Sequence, residues 1–281
     1  MNFVKTTVLL ATLTGLLVAI GGLIGGPSGL VLFLILAGVM NFVAYWFSDK
    51  MALAMAGAKE ITESEDPHLF SIVREVATLS KMPMPRVYVV NTDSPNAFAT
   101  GRNPQHAVVA VTTGIRRILT DRELRGVLGH EMGHVRNRDI LTSSVAAAIA
   151  MGITFAARMA MWGALLGGGR GNDRDGGGIG DLLMIVLAPI AATVIQLAVS
   201  RSREYEADAS AARMIGTGEP LARALEKLEA GAERVPVKVN PAEASAYIVN
   251  PLRGRNASNL FMTHPPVPER IARLRSGAWA A

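Results

Sequence analysis

The chain has 281 residues, half of them apolar and 18% charged, with a formal charge of +5. Soluble domains carry about a quarter charged residues, so the deficit points to a membrane. No basic run is interleaved with aromatics, which argues against a nucleic-acid partner. The absence of cysteine excludes disulfides, thiolate metal sites and cysteine nucleophiles.

Two hydrophobic stretches lead the chain, about Phe3 to Gly25 and Leu30 to Phe47, separated only by Gly26-Pro27-Ser28-Gly29. Each reaches the roughly 18–20 residues needed to cross the hydrocarbon layer. The second ends in Tyr45-Trp46-Phe47, aromatics suited to an interface. A cleaved signal peptide is the alternative for the first stretch, but its apolar core is long and another span follows at once. The pair is therefore expected to form a retained transmembrane hairpin, residues 1–48.

A first water-soluble segment follows, taken as one unit over 49–140. Pro67 to Ser80 has the spacing of a helix, with Leu69, Ile72, Val73 and Val76 on one face. Arg86–Val90 and Ala107–Val111 are dense in β-branched residues and read as strands of a small sheet. Thr120-Asp121-Arg122-Glu123 has the form of a capping box and should open a long helix running through Asp139.

That helix carries His130-Glu131-Met132-Gly133-His134. Side chains four apart share a helical face, so both imidazoles can reach one metal ion. Glu131 is near enough to bond a metal-bound water without being a ligand. This is the HExxH pattern of zinc peptidases, in which glutamate takes the water's proton as the water attacks a carbonyl. Two of the five histidines fall in it. His68 and His106 have no supporting partners and read as structural or surface residues.

A third hydrophobic stretch, about Val145 to Leu166, contains Arg158, which is costly in mid-membrane unless paired. A fourth runs from Leu182 to Val199, and the glycine-rich connector Gly167–Gly180 lies between them. Residues 141–199 are expected to form a second hydrophobic hairpin. Of the 28 lysines and arginines, 12 fall in each soluble segment, Ser48–Ser144 and Ser200–Ala281. The positive-inside rule places both segments in the cytoplasm.

A catalytic zinc needs a third protein ligand. The second catalytic part, 200–281, opens with Ser202-Arg203-Glu204-Tyr205-Glu206-Ala207-Asp208, expected to be helical through Ile215. Glu204 and Asp208 share a face, so one carboxylate can bind zinc while the other accepts the remaining N–H of a ligating imidazole. Periodicity leaves Glu204 and Glu206 tied as candidate ligands. Arg203 could pair with a carboxylate, either Asp208 or one from substrate.

HEMGH, a long membrane-containing insertion and SREYEADASAA together resemble the HtpX membrane metalloproteases, relatives of the CAAX prenyl endoprotease. The likeness extends over PNAFATG and THPPVPERI, and so over nearly the whole chain. It implies one Zn2+ per chain held by His130, His134 and Glu204, with Glu131 as general base and Asp208 behind a ligand. The implied fold is mainly α and multi-pass, a helical zincin-like catalytic domain with a small β-sheet or hairpin plus two transmembrane hairpins. Asn96, Ala97, Phe98 and Ala99 resemble the edge strand that takes substrate, although alone they read as a hairpin loop. His264 reads alone as a solvated loop histidine; the resemblance makes it an oxyanion donor.

The implied role is quality control in a bacterial inner membrane, cleaving unfolded or damaged membrane proteins from the cytoplasmic side, with the bilayer and other quality-control proteases as partners. A narrow prenyl-protein processing peptidase and a non-catalytic membrane holdase are the alternatives. Four hydrophobic stretches are too few to enclose a large intramembrane chamber, which disfavours the former. Retention of all five site residues disfavours the latter.

Overall fold

The computed structural model describes residues 2–137, 201–234, 248 and 265–280. The third and fourth hydrophobic stretches, the glycine-rich connector and His264 lie outside the described residues.

The leading hairpin is a helix, α1 (Asn2–Met55), broken at Gly26. The expected four-residue connection contracts to that one residue. Gly26 has φ 56° and ψ −143°, a conformation that a β-carbon would oppose, and Pro27 restarts the helix where its missing N–H costs nothing. The two arms lie antiparallel. Asn41 Nδ2 donates to Thr14 Oγ1 at 2.8 Å and to Leu10 O at 3.3 Å, and Gly22 packs on Leu30. A hydrogen bond of this kind holds helices together where no hydrophobic force separates protein from lipid. Among the described residues, Gly26–Phe47 is the one helix long and apolar enough to cross a membrane. Its Val31, Leu32, Leu34, Ile35 and Phe42 are each more than half exposed, an apolar surface that water would not tolerate. The helix continues past the expected boundary at residue 48 to Met55.

Beyond α1 the chain forms β1 (Ala58–Glu60), α2 (Pro67–Leu79), β2 (Arg86–Val90), β3 (Ala97–Thr100), β4 (Val108–Thr112), α3 (Thr113–Ile118) and α4 (Asp121–Arg136). After the undescribed interval come α5 (Arg201–Ile215), α6 (Glu219–Arg234) and α7 (Val267–Arg275). The sheet order is β1-β2-β4-β3, with β2 and β4 parallel and the outer strands antiparallel to their neighbours. β4 is buried on both faces, between α1 on one side and the main core on the other.

The capping box that opens α4 is complete: Glu123 N–H donates to Thr120 Oγ1 and Thr120 N–H to Glu123 Oε2. The helix ends earlier than the capping signal suggested, at Arg136, where the N–H of Asn137 returns to the carbonyls of Gly133 and Val135. Asp139 lies outside the described residues. α4 sits at the centre of the domain, touching α2, β3, α5 and α6. Glycine makes this possible. A Cβ on Gly126 would lie 2.7 Å from Leu221 N, and Gly129 and Gly133 face Ala211 and Ala207 of α5 at 3.3 Å.

Gly126→Ala should therefore lower the thermal unfolding midpoint in detergent. The ~1 kcal/mol gained in helix propensity is outweighed by overpacking, which costs about 1–3 kcal/mol. Gly38→Ala, which meets nothing within 4 Å, should leave the midpoint unchanged or raise it.

Candidate active site

His130 and His134 lie one turn apart on α4, with their Nε2 atoms 3.2 Å from each other. Across the α4–α5 contact, Glu204 Oε2 is 3.6 Å from His130 Nε2, and Oε1 is 3.4 Å from His134 Nε2. These ligand atoms all lie within 4.8 Å of one another. Ligands ~2.0–2.2 Å from a tetrahedral zinc stand about 3.3–3.5 Å apart, so the observed spacing fits an ion of that size. Three electron-pair donors converging in a buried place repel one another unless a cation lies between them. The set suits a metal ion in both geometry and charge.

Burial breaks the tie between the two glutamates. Glu204 is 6% exposed and faces α4, whereas Glu206 points outward to Arg213 at 2.5 Å. Asp208 is also buried, and its Oδ1 lies 2.8 Å from His130 Nδ1. That contact assigns the proton to Nδ1 and leaves Nε2 as a lone pair aimed at the cluster.

The guanidinium on Asp208 is not that of Arg203, as its position in the sequence suggested, but that of Arg270 on α7. Arg270 is fully buried and binds Asp208 in parallel, Nε to Oδ2 at 2.9 Å and Nη2 to Oδ1 at 2.7 Å. Its Nη1 donates to the carbonyl of Ile248 at 3.1 Å. Burial pushes the Asp208 carboxyl upward, but the charge and hydrogen bonds of Arg270, with the bond from His130, outweigh it and hold it at about 2. The sequence reading missed Arg270 although a signal was present. Val267, Arg270 and Leu274 form the buried stripe of α7, and an arginine in such a stripe needs a buried anion.

Glu131, beside His130 on α4, reaches the sheet edge. Its Oε2 accepts the backbone N–H of Ala99 at 2.9 Å. The hydrogen bond from Thr112 N–H to Asn96 O fixes the ladder's alternation. Ala97 and Ala99 consequently direct their main-chain groups outward, toward α4. Asn96 and Ala97 are buried, while Phe98 and Ala99 are half-buried. The Asn96 side chain faces inward, its Oδ1 accepting from Ile248 N–H at 3.3 Å. His68 and His106 are exposed and bond to Asp121 and Asn103.

A mainly helical domain with a small mixed sheet, and an HExxH helix joined by a buried glutamate from a second helix, defines a metallopeptidase of the zincin class. Comparison with known proteins names the family. Residues 63–278 match Peptidase family M48. The chain is 54% identical over 276 residues to a protein described as a protease HtpX homolog from Syntrophobacter fumaroxidans, covering 97% of this chain and 98% of the relative. Homologs of the same description from Persephonella marina and Aquifex aeolicus are each 52% identical, covering 98% and 92% of this chain and 96% and 88% of their own lengths. The crystal structure of S. mikatae Ste24p shares the fold at 18% identity and a TM-score of 0.50, over 97% of this chain; the chain spans 65% of that protein. The chain belongs to peptidase family M48 and is a metalloendopeptidase of the membrane.

Arg270→Met leaves the Asp208 charge buried and unpaired, and should destabilise the domain by about 3–5 kcal/mol. Arg270→Lys cannot make both parallel bonds and should restore little of this. Metal affinity should fall about 10–100-fold in either variant, since His130 loses its fixed orientation. Thermal unfolding and metal titration check the two effects separately.

Proposed function

We propose that the protein is a zinc endopeptidase that hydrolyses unfolded or damaged membrane proteins at the cytoplasmic face of a bacterial inner membrane. The observation that carries this reading is the convergence of His130, His134 and Glu204 beside a glutamate that reaches β3, the edge strand among the described residues. It also weighs against a scaffold that has kept only the fold. In this reading His130, His134 and Glu204 hold the metal and Asp208 orients His130. A bound zinc ion would polarise the scissile carbonyl and lower the pKa of water toward 7.

The protein's own groups do the rest. A substrate strand adds beside β3, using the outward main-chain groups of Ala97 and the carbonyl of Ala99 and so tolerating many sequences. Glu131 accepts the proton of the attacking water and passes it to the departing amine. Ala99 N–H meanwhile holds the Glu131 carboxylate in place. His264 is proposed as a donor to the oxygen that gains negative charge.

The multi-pass arrangement, with catalytic parts 49–140 and 200–281 on one side, is part of the proposal. It is supported by the direct packing of α4 on α5, which brings residues 137 and 201 back to the same side of any bilayer. The basic residues shared between the two soluble segments support that side being the cytoplasm.

Glu131→Gln should retain the metal and lose about 10²–10⁴-fold in turnover of an unfolded protein such as casein. His134→Ala should lose metal and activity together. Chelation should abolish activity and zinc restore it. Undiminished proteolysis by Glu131→Gln would remove the peptidase reading.

A further inference from the structure

The end of the apolar helix borders a cleft lined by none of the candidate active-site residues. Its volume is about 480 Å³, within the size range of small-ligand sites. One wall is the last turns of α1, carrying Phe42, Trp46, Phe47 and Lys50; the other carries Arg86 from β2 and Arg102 from the turn after β3. We propose that this cleft binds the phosphodiester headgroup of an anionic phospholipid, with the acyl chains lying along the exposed aromatics of α1.

Position comes first. Gly26–Phe47 has 22 residues, a length of about 33 Å at 1.5 Å per residue, close to the ~30 Å hydrocarbon thickness. Lys50 follows within one turn, so the cleft stands at headgroup level. Phe42, Trp46 and Phe47 are 58%, 45% and 40% exposed, as lipid-facing side chains of an interfacial belt would be.

Charge then selects the headgroup. The lining holds three cations against one carboxylate, Asp49. Arg86 is committed to Asp49 at 3.6 Å and to Glu60 at 3.9 Å. Among the described residues Lys50 and Arg102 have no carboxylate partner. Arg102 donates to His106 Nε2 at 2.9 Å, and His106 Nδ1 faces Asn103 Oδ1 at 2.7 Å. The remaining guanidinium donors of Arg102 and the ammonium of Lys50 are suited to phosphate oxygens.

The aromatics exclude the other headgroup class. Arg102 lies over Trp46 at 4.8 Å and Lys50 over Phe47 at 5.4 Å. Those ring faces already carry cations and offer no cage to a choline. A phosphodiester with no cation of its own is therefore preferred to a zwitterion.

The inference rests on the membrane reading above, and the test separates the two. Full-length protein in detergent is titrated with phosphatidylglycerol, phosphatidylcholine or inorganic phosphate, and bound lipid is counted by native mass spectrometry. Phosphatidylglycerol should bind at least tenfold tighter than phosphatidylcholine and resist millimolar phosphate. The double variant Lys50→Gln, Arg102→Gln should lose about 30-fold, at roughly fivefold per interfacial cation. Arg122→Gln, outside the cleft, should bind as the parent does, and casein proteolysis in detergent should be unchanged in both variants. Equal retention of both lipids, indifference to the double variant, or complete displacement by free phosphate would overturn the proposal. Extraction of the protein from membranes by alkaline carbonate would instead overturn the membrane reading.

Discussion

The structure depends on how closely α4 and α5 approach. A carboxylate on a short side chain reaches two imidazoles on a neighbouring helix only if the backbones nearly touch. Gly129 and Gly133 on one helix, and Ala207 and Ala211 on the other, supply that approach; a Cβ added at either glycine would lie 3.3 Å from the facing alanine. Glu204 then comes within 3.4 and 3.6 Å of the two Nε2 atoms. The glycine inside the HExxH sequence is thus a packing residue as much as a spacer. A larger side chain there would move the carboxylate out of reach while leaving the helix intact.

A buried polar chain ties this contact to the rest of the domain. His130 rests on Asp208, Asp208 on Arg270, Arg270 on the Ile248 carbonyl, and the Ile248 N–H on Asn96 at the start of β3. Buried ion pairs add little net stability, but removing one partner is expensive. The arrangement therefore specifies orientation. It fixes the His130 tautomer and holds the last helix and the edge strand in register with α4. Glu131 closes the connection by bonding to Ala99.

Much of this was legible in the sequence because its signals are local. The capping box at Thr120 and Glu123, the HExxH spacing and the helical runs expected at 67–80 and 202–215 depend on residues three or four apart, and each appears within a residue of where the pattern put it. The choice between Glu204 and Glu206 was not legible in the periodicity and came only from the family resemblance. α5 is rich in alanine, its apolar stripe is weak, and only packing against α4 reveals its buried face. β1 was also missed, since Ala58-Lys59-Glu60 has no strand composition and becomes a strand by pairing with β2. Arg270 was missed because arginine on a helix usually faces water. Its partner lies 62 residues away, so no local pattern could join them.

The most direct test of the account is X-ray absorption at the zinc edge of the purified protein, parent and Glu204→Ala. The parent should show two imidazoles and at least one carboxylate oxygen at about 2.0–2.1 Å. Glu204→Ala should bind far less zinc, and any that remains should lack the carboxylate. Full occupancy with an unchanged first shell in the variant would contradict a centre assembled across the α4–α5 contact.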